Sequence, residues 1–347
     1  MKHKFVATRS KKLNFIKKGL VVWRFSILLV LLAGLLGACG APASADPTKV
    51  SVSMGYIPDV QFAPFYVAHA RNYYKDAGLD VTINHGSIQD ALVQVAQGQL
   101  TFANASGDEI LIARSNGIPI KLVFQTYQQF PVAVFSKAEA GLAQPEDLKG
   151  QTVGVPARFG ASYVGLKGLL YAANMSEEDV TIAEIGFTQA DAVRGDKVPA
   201  AVGYYNNEPL VLEQSGVPVN VIKVADYIQL VSNGIVTSEA FTKDNPDVVK
   251  RFVQATARGL QDTLDDPEVA FEIALKFIPE LPAERRSQEL SKLLVALELW
   301  QSAATDANGL GYSEPQAWET THRFLRDSGI LQRDVDIQQA FTNELRQ

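Results

Sequence analysis

The sequence predicts an α/β protein of two lobes, on three observations. From Val50 onward, short β-rich runs alternate with helical periods, the pattern of βαβ units in a largely parallel sheet. That rhythm runs twice, and an extended hydrophobic stretch accompanies each passage between the two blocks. The 347 residues are 47% hydrophobic and 20% charged, which suits a sizeable buried core and fits neither a disordered nor a fibrous chain.

In chain order, strands are expected over 50–55, 81–84, 101–105 and 120–125, with helices over 63–77, 88–97 and 108–115 between them, ending near Gly78, Gly98 and Gly117. PVAVFS at 131–136 reads as the first crossing strand. The rhythm then restarts: a helical turn at 145–148, strands over 152–155, 181–185 and 200–203, and helices over 161–173, 188–193 and 210–214. Residues 219–223 and 230–236 are extended again, and from Pro246 onward the period is helical throughout. Two βα blocks joined by two extended crossings imply a cleft between lobes. Ligands of open α/β sheets sit outside the carboxyl ends of strands, so function is to be sought there. The expected division is 50–134 with 236–347 as one lobe and 135–235 as the other.

The front of the chain differs in kind. Residues 1–24 carry eight Lys and Arg and no acid, and residues 25–37, FSILLVLLAGLLG, carry no charge. Thirteen such residues are too few to span a bilayer but suit the apolar region of a signal peptide. Leu36-Gly37-Ala38-Cys39 resembles the lipobox of bacterial lipoproteins, in which the chain is cut before a cysteine that carries diacylglycerol. The expected parts are therefore a signal peptide over 1–38, a lipidated Cys39, and a leash of small and polar residues over 39–49. Cys39 is the single cysteine, so disulfides, thiol nucleophiles and thiolate metal sites are excluded from the folded part. Removing the eight front charges from the net −6 leaves −14 for the rest, which argues against a nucleic-acid partner.

Several stretches resemble a known family: MGYIP at 54–58, PFYVA at 64–68, YYKDAGLDV at 73–81, QGQLTF at 97–102, EDLKGQTVGV at 146–155 and GYYNNEP at 203–209. They look like the substrate-binding lipoproteins of ABC importers, in the subgroup that handles thiamine pyrimidines, sulfonates and nitrate. The resemblance implies a type II periplasmic-binding-protein fold, each lobe a mixed sheet flanked by helices, joined by two extended hinge crossings. It implies a binder that closes on a small molecule and delivers it to a membrane permease, held extracytoplasmically at the cell membrane by its lipid. Within the family, 204–208 is similar to binders of formylaminopyrimidine and of riboflavin.

Residue types favour riboflavin. Aromatic rings for stacking a flat heterocycle stand at Tyr56, Phe62, Tyr127, Phe159, Tyr163, Tyr204 and Tyr205, and uncharged polar groups for a polyol and ring edge at Asn104, Ser106 and Asn207. Asp59 and Glu208 complete the candidate set, with Asp59 also a possible helix cap; Asp108 reads as a cap at its helix start. A sulfonate or nitrate would want a cation, and Arg158 pointing inward would favour that alternative. Enzymatic pyrimidine synthesis, known in relatives of this family, would need a cysteine-rich segment that is absent here. No catalytic residue, metal-ligand set or cofactor motif is read from the sequence.

Overall fold

The computed structural model describes residues 46–279 and 281–346. The expected signal peptide, Cys39 and the leash up to residue 45 lie outside the described residues. Among the described residues no helix is long and apolar enough to cross a membrane.

Ten strands follow in chain order: β1 (Thr48–Ser53), β2 (Leu79–Asn84), β3 (Phe102–Ala105), β4 (Ile120–Gln125), β5 (Val132–Lys137), β6 (Thr152–Val155), β7 (Thr181–Glu184), β8 (Ala200–Tyr204), β9 (Val219–Lys223) and β10 (Gly234–Ser238). They form two five-stranded mixed sheets, ordered β2-β1-β3-β10-β4 and β7-β6-β8-β5-β9. Pairs among β1, β2 and β3, and among β6, β7 and β8, are parallel. The strand that arrives from the other sheet, β10 or β5, runs antiparallel to both its neighbours. The expected breaks at 134/135 and 235/236 thus fall inside β5 and β10. Central strands such as β3 (FANA) are buried at every position, as a sheet covered on both faces requires.

The helices are α1 (Ala63–Ala70), α2 (Tyr73–Asp76), α3 (Ile88–Ala96), α4 (Gly107–Ser115), α5 (Gly160–Ala172), α6 (Gln189–Arg194), α7 (Glu208–Gln214), α8 (Glu239–Asp244), α9 (Pro246–Asp265), α10 (Pro267–Ala274), α11 (Arg286–Leu299), α12 (Ala303–Asn308) and α13 (Pro315–Asp327). The single helix expected over 63–77 is two, because Asn72 takes a left-handed backbone (φ 60°) that an asparagine tolerates and a helix interior does not. The tail is not helical to its end. Beyond α13 the chain runs along the outer edge of β4, where the Leu122 N–H donates to Ala340 O (2.9 Å) and the Thr342 N–H to Leu122 O (2.9 Å), covering that edge.

The tail also ties the lobes together. Phe252 of α9 stacks on Phe102 of β3 at 4.1 Å, while Phe324 of α13 meets Tyr171 of α5 at 5.4 Å. The buried Trp318, Phe324 and Leu325 of α13 share one apolar cluster with Ile110 and Leu111 of α4 and Leu166 and Leu169 of α5.

Candidate functional site

Half of the expected residues lie at two turns, each leading from the carboxyl end of a central strand into a helix: β3 to α4, and β8 to α7. In the first, Ser106 is fully buried, and both its N–H and its hydroxyl donate to the Glu109 carboxylate at 3.0 Å. Burial raises the Glu109 pKa, and these two donors hold it back. Gly107 is pressed against the second crossing: its N–H donates to Val231 O at 3.1 Å, and a Cβ there would lie 2.3 Å from Val231 Cβ.

Asp108, expected as the cap, is not one. Ser106 and Glu109 already satisfy the helix start, and Asp108, one residue further into the helix, is 0% exposed. Neither of its oxygens has a hydrogen-bond partner among the described residues. Burial, then the Glu109 charge, push its carboxyl up to about 7; the Ser106 hydroxyl and the N–H groups of Asp108 and Glu109 pull the other way.

In the second turn Glu208 opens α7 and folds back. It accepts the Tyr204 N–H at 2.8 Å and the Asn207 side-chain amide at 3.2 Å. A Cβ at Gly203 would lie 2.5 Å from Glu208 Oε2, so a larger residue there would have to push this carboxylate aside. Burial raises the Glu208 pKa, opposed by its own N–H, that of Tyr204 and the Lys292 charge.

Charges and rings from both lobes act on one another around these turns. Tyr56 is pushed up to about 12 by burial and by Asp59, Glu208 and Glu289. The Tyr204 phenol is raised well above its usual range by burial, Glu109, Tyr127 and Asp108. Tyr127 is 3% exposed, raised by burial and by Asp59, and its ring stands edge-on to Trp300 at 5.9 Å. Its hydroxyl, Asn206 Oδ1 and Trp300 Nε1 are buried without partners among the described residues. Asp59 caps the short helical turn before α1 by accepting the Gln61 N–H at 3.0 Å, and burial raises its pKa despite Lys292.

Other chosen residues lie elsewhere or have occupied faces. Phe62 packs edge-on to Tyr66 (6.5 Å) and against His85 (5.9 Å) in the core of lobe one. Asn104 is buried on β3 opposite Ile235. Tyr205 is 7% exposed, with Lys223 Nζ 4.2 Å from its ring centre. Phe159 is 62% exposed. The Tyr163 hydroxyl donates to Glu177, which also pairs with Lys167 (3.1 Å) and Arg158 (3.4 Å). Arg158 reaches Glu184 as well (3.5 Å), so its charge is balanced on the surface of lobe two. The lips of the lobes meet through Tyr56 and Phe187, edge-on at 6.3 Å.

Sequence reasoning missed Lys292. It is 6% exposed on α11, bonded to Glu289 at 3.0 Å and 4.0 Å from Asp59. The signal was present: Glu289 and Lys292 share the buried face of α11 with Leu293, Ala296 and Leu299, a helical spacing that sets two charges inside. A cavity of about 730 Å³ lies apart, at the crossings, where Gln128 donates to Gln125 O (2.9 Å) and Gln229 to Glu314 (2.8 Å). Among the described residues no three His, Cys, Asp or Glu side chains converge to hold a metal.

Comparison with known proteins agrees with this architecture. Over 342 residues, the chain is 44% identical to the riboflavin-binding protein RibY of Chloroflexus aurantiacus, covering 93% of this chain and 97% of that one. It is 27% identical to a formylaminopyrimidine-binding protein of Halalkalibacterium halodurans, over 92% of this chain and 98% of that one. The periplasmic aliphatic sulphonate binding protein SsuA of Escherichia coli superposes with a TM-score of 0.70 at 12% identity, over 84% of this chain and 97% of that one, a likeness of fold. The NMT1/THI5-like family matches residues 59–270, and the chain belongs to that family.

Proposed function

We propose that the protein is the riboflavin-binding component of an ABC importer, tethered through Cys39 at the outer face of the cell membrane after removal of residues 1–38. The observation that carries this reading is the charge of the junction between lobes. Asp59, Asp108, Glu109, Glu208 and Glu289 gather around Tyr56, Tyr127 and Tyr204, and the buried cation, Lys292, is already paired with Glu289. Such a site repels a sulfonate or nitrate and suits a neutral flat ring, with stacking worth about 0.5–1.5 kcal/mol per good aromatic pair beyond buried area. The 44% identity to a riboflavin-binding protein supports the same ligand.

In this reading the ring lies among Tyr56, Tyr127 and Tyr204, and Asp59 and Glu208 position it. Residues 50–134 with 236–347, and residues 135–235, close on it about the two crossings, because contacts from both lobes favour the closed form. The protein then acts as a binder and not an enzyme, and a permease receives the ligand. Titration of riboflavin tests it: emission is expected to quench on stacking, and a flat titration at micromolar protein overturns the reading. The alternative is formylaminopyrimidine, favoured by the 27% identical relative, and competition between the two molecules separates them.

A further inference from the structure

We propose that Asp108 is a ligand-contacting residue, whose carboxylate accepts hydrogen bonds from N–H or O–H groups of the bound molecule and so selects ligands that bring donors to the Tyr204 side of the cleft. The claim rests on the riboflavin reading only for the identity of that molecule.

Asp108 is 0% exposed, and both its oxygens lack a partner among the described residues. A buried acceptor left this way is costly, and native proteins rarely keep one without a use. The helix start and the buried cation both have other hydrogen-bond partners. The start of α4 is served by Ser106 and Glu109, and the buried cation Lys292 bonds to Glu289 and lies beside Asp59.

It stands in the first turn of α4, at the carboxyl end of β3. Asp108 is close enough to the Tyr204 phenol at the end of β8 for its charge to act there, and Tyr127 acts on the same ring. Asn206, on the turn that follows Tyr204, and the Trp300 N–H lie beside the Tyr127 hydroxyl and act on it, so these three neighbours can serve one another, whereas Asp108 has no such set among the described residues. Asp108 therefore brings two unmatched acceptor oxygens within reach of the Tyr204 ring. A molecule that satisfies them brings donors, either the imide N–H of a flavin-type ring or the hydroxyls of a polyol chain.

The test compares Asp108→Asn with the unmodified protein by fluorescence titration. Asp108→Asn is expected to weaken riboflavin about ten- to hundredfold, the loss of a charge-assisted bond. It is also expected to raise the unfolding midpoint of the ligand-free protein at pH 8, by removing a buried charge that nothing neutralises. Lumiflavin, with the same ring and no polyol chain, locates the donor: equal loss for both flavins assigns the ring N–H, and loss confined to riboflavin assigns the chain. Affinity within twofold for both flavins overturns the proposal, as does a lowered midpoint. If the unmodified protein binds neither flavin, the riboflavin reading falls by itself. Asp108 is then decided by the midpoint and by the same comparison with an aminopyrimidine, whose amine also brings donors.

Discussion

Lobe one leaves β3 through Ser106-Gly107-Asp108-Glu109, and lobe two leaves β8 through Tyr205-Asn206-Asn207-Glu208. Both turns open a helix, and both bring a glutamate back onto a strand-end N–H, at 3.0 Å for Glu109 on Ser106 and 2.8 Å for Glu208 on Tyr204. In lobe one the bonded N–H is that of the helix's own cap residue, and in lobe two that of the last residue of β8. In both, the carboxylate also sits at a helix start, which favours negative charge. The difference lies in what remains. Lobe two adds tyrosines and amides, whereas lobe one adds a second acid, Asp108, which the helix start does not use. Backbone demand explains one carboxylate per turn; the surplus residues point to ligand chemistry.

The largest expected effect tests the charge that links the turns. Lys292→Met leaves Asp59 buried without its nearby cation, while Glu289 keeps Arg285 at 2.9 Å, and is expected to cost about 3 kcal/mol at pH 8 in urea unfolding. The loss should shrink at pH 5, where the raised Asp59 carboxyl takes up a proton; an equal loss at both pH values would mean that Lys292 acts through packing alone. Glycine substitutions separate the turns next. Gly107→Ala meets the branched Cβ of Val231 and is expected to cost about 2–3 kcal/mol, while Gly203→Ala meets the movable end of Glu208 and costs about 1 kcal/mol. The reverse order would break the comparison.

The surplus acid predicts a pH dependence that lobe two alone would give only weakly. The Asp108 pKa is raised to about 7, so the native protein holds a proton that the unfolded chain has released. The stability from this group is fully present below about pH 4 and is lost as pH rises towards 7. Asp59, Glu109 and Glu208 are shifted in the same direction. The ligand-free unfolding midpoint should therefore fall over that window, and Asp108→Asn should flatten the fall; a variant that tracks the parent curve would contradict it. The smallest effects concern single contacts on lobe two. Tyr204→Ala should weaken riboflavin about tenfold and Tyr205→Ala less, since Lys223 covers one face of the Tyr205 ring. Arg158→Ala should leave affinity within twofold and stability within about 1 kcal/mol, as an exposed pair does.

Much of the fold was legible because it rests on local period. The βα rhythm located all ten strands approximately, and the hydrophobic run at 131–136 became β5. What escaped had no local signal strong enough to read: the break at Asn72, and the last stretch pairing with β4 in place of a helix. The site was legible in part. Tyr56, Asp59, Tyr127, Tyr204 and Glu208 follow strands, and the structure brings them near one another. Phe159 and Tyr163 also follow a strand, yet Phe159 is exposed and Tyr163 is held by Glu177, because their helix faces charged neighbours on its own lobe.

Sequence alone determined the two-block α/β order, the acidic balance of the body and the presence of rings at the strand ends, since each depends on residue type and spacing along one chain. Tertiary structure decided which of those groups share a space. Asp59 and Lys292, each more than eighty positions from Glu208, alter its ionisation only when crossings and tail fold them together. Asp108 shows the same division: as a letter it is a plausible helix cap, and only its burial beside Ser106, Glu109 and Tyr204 leaves it an acceptor without a donor.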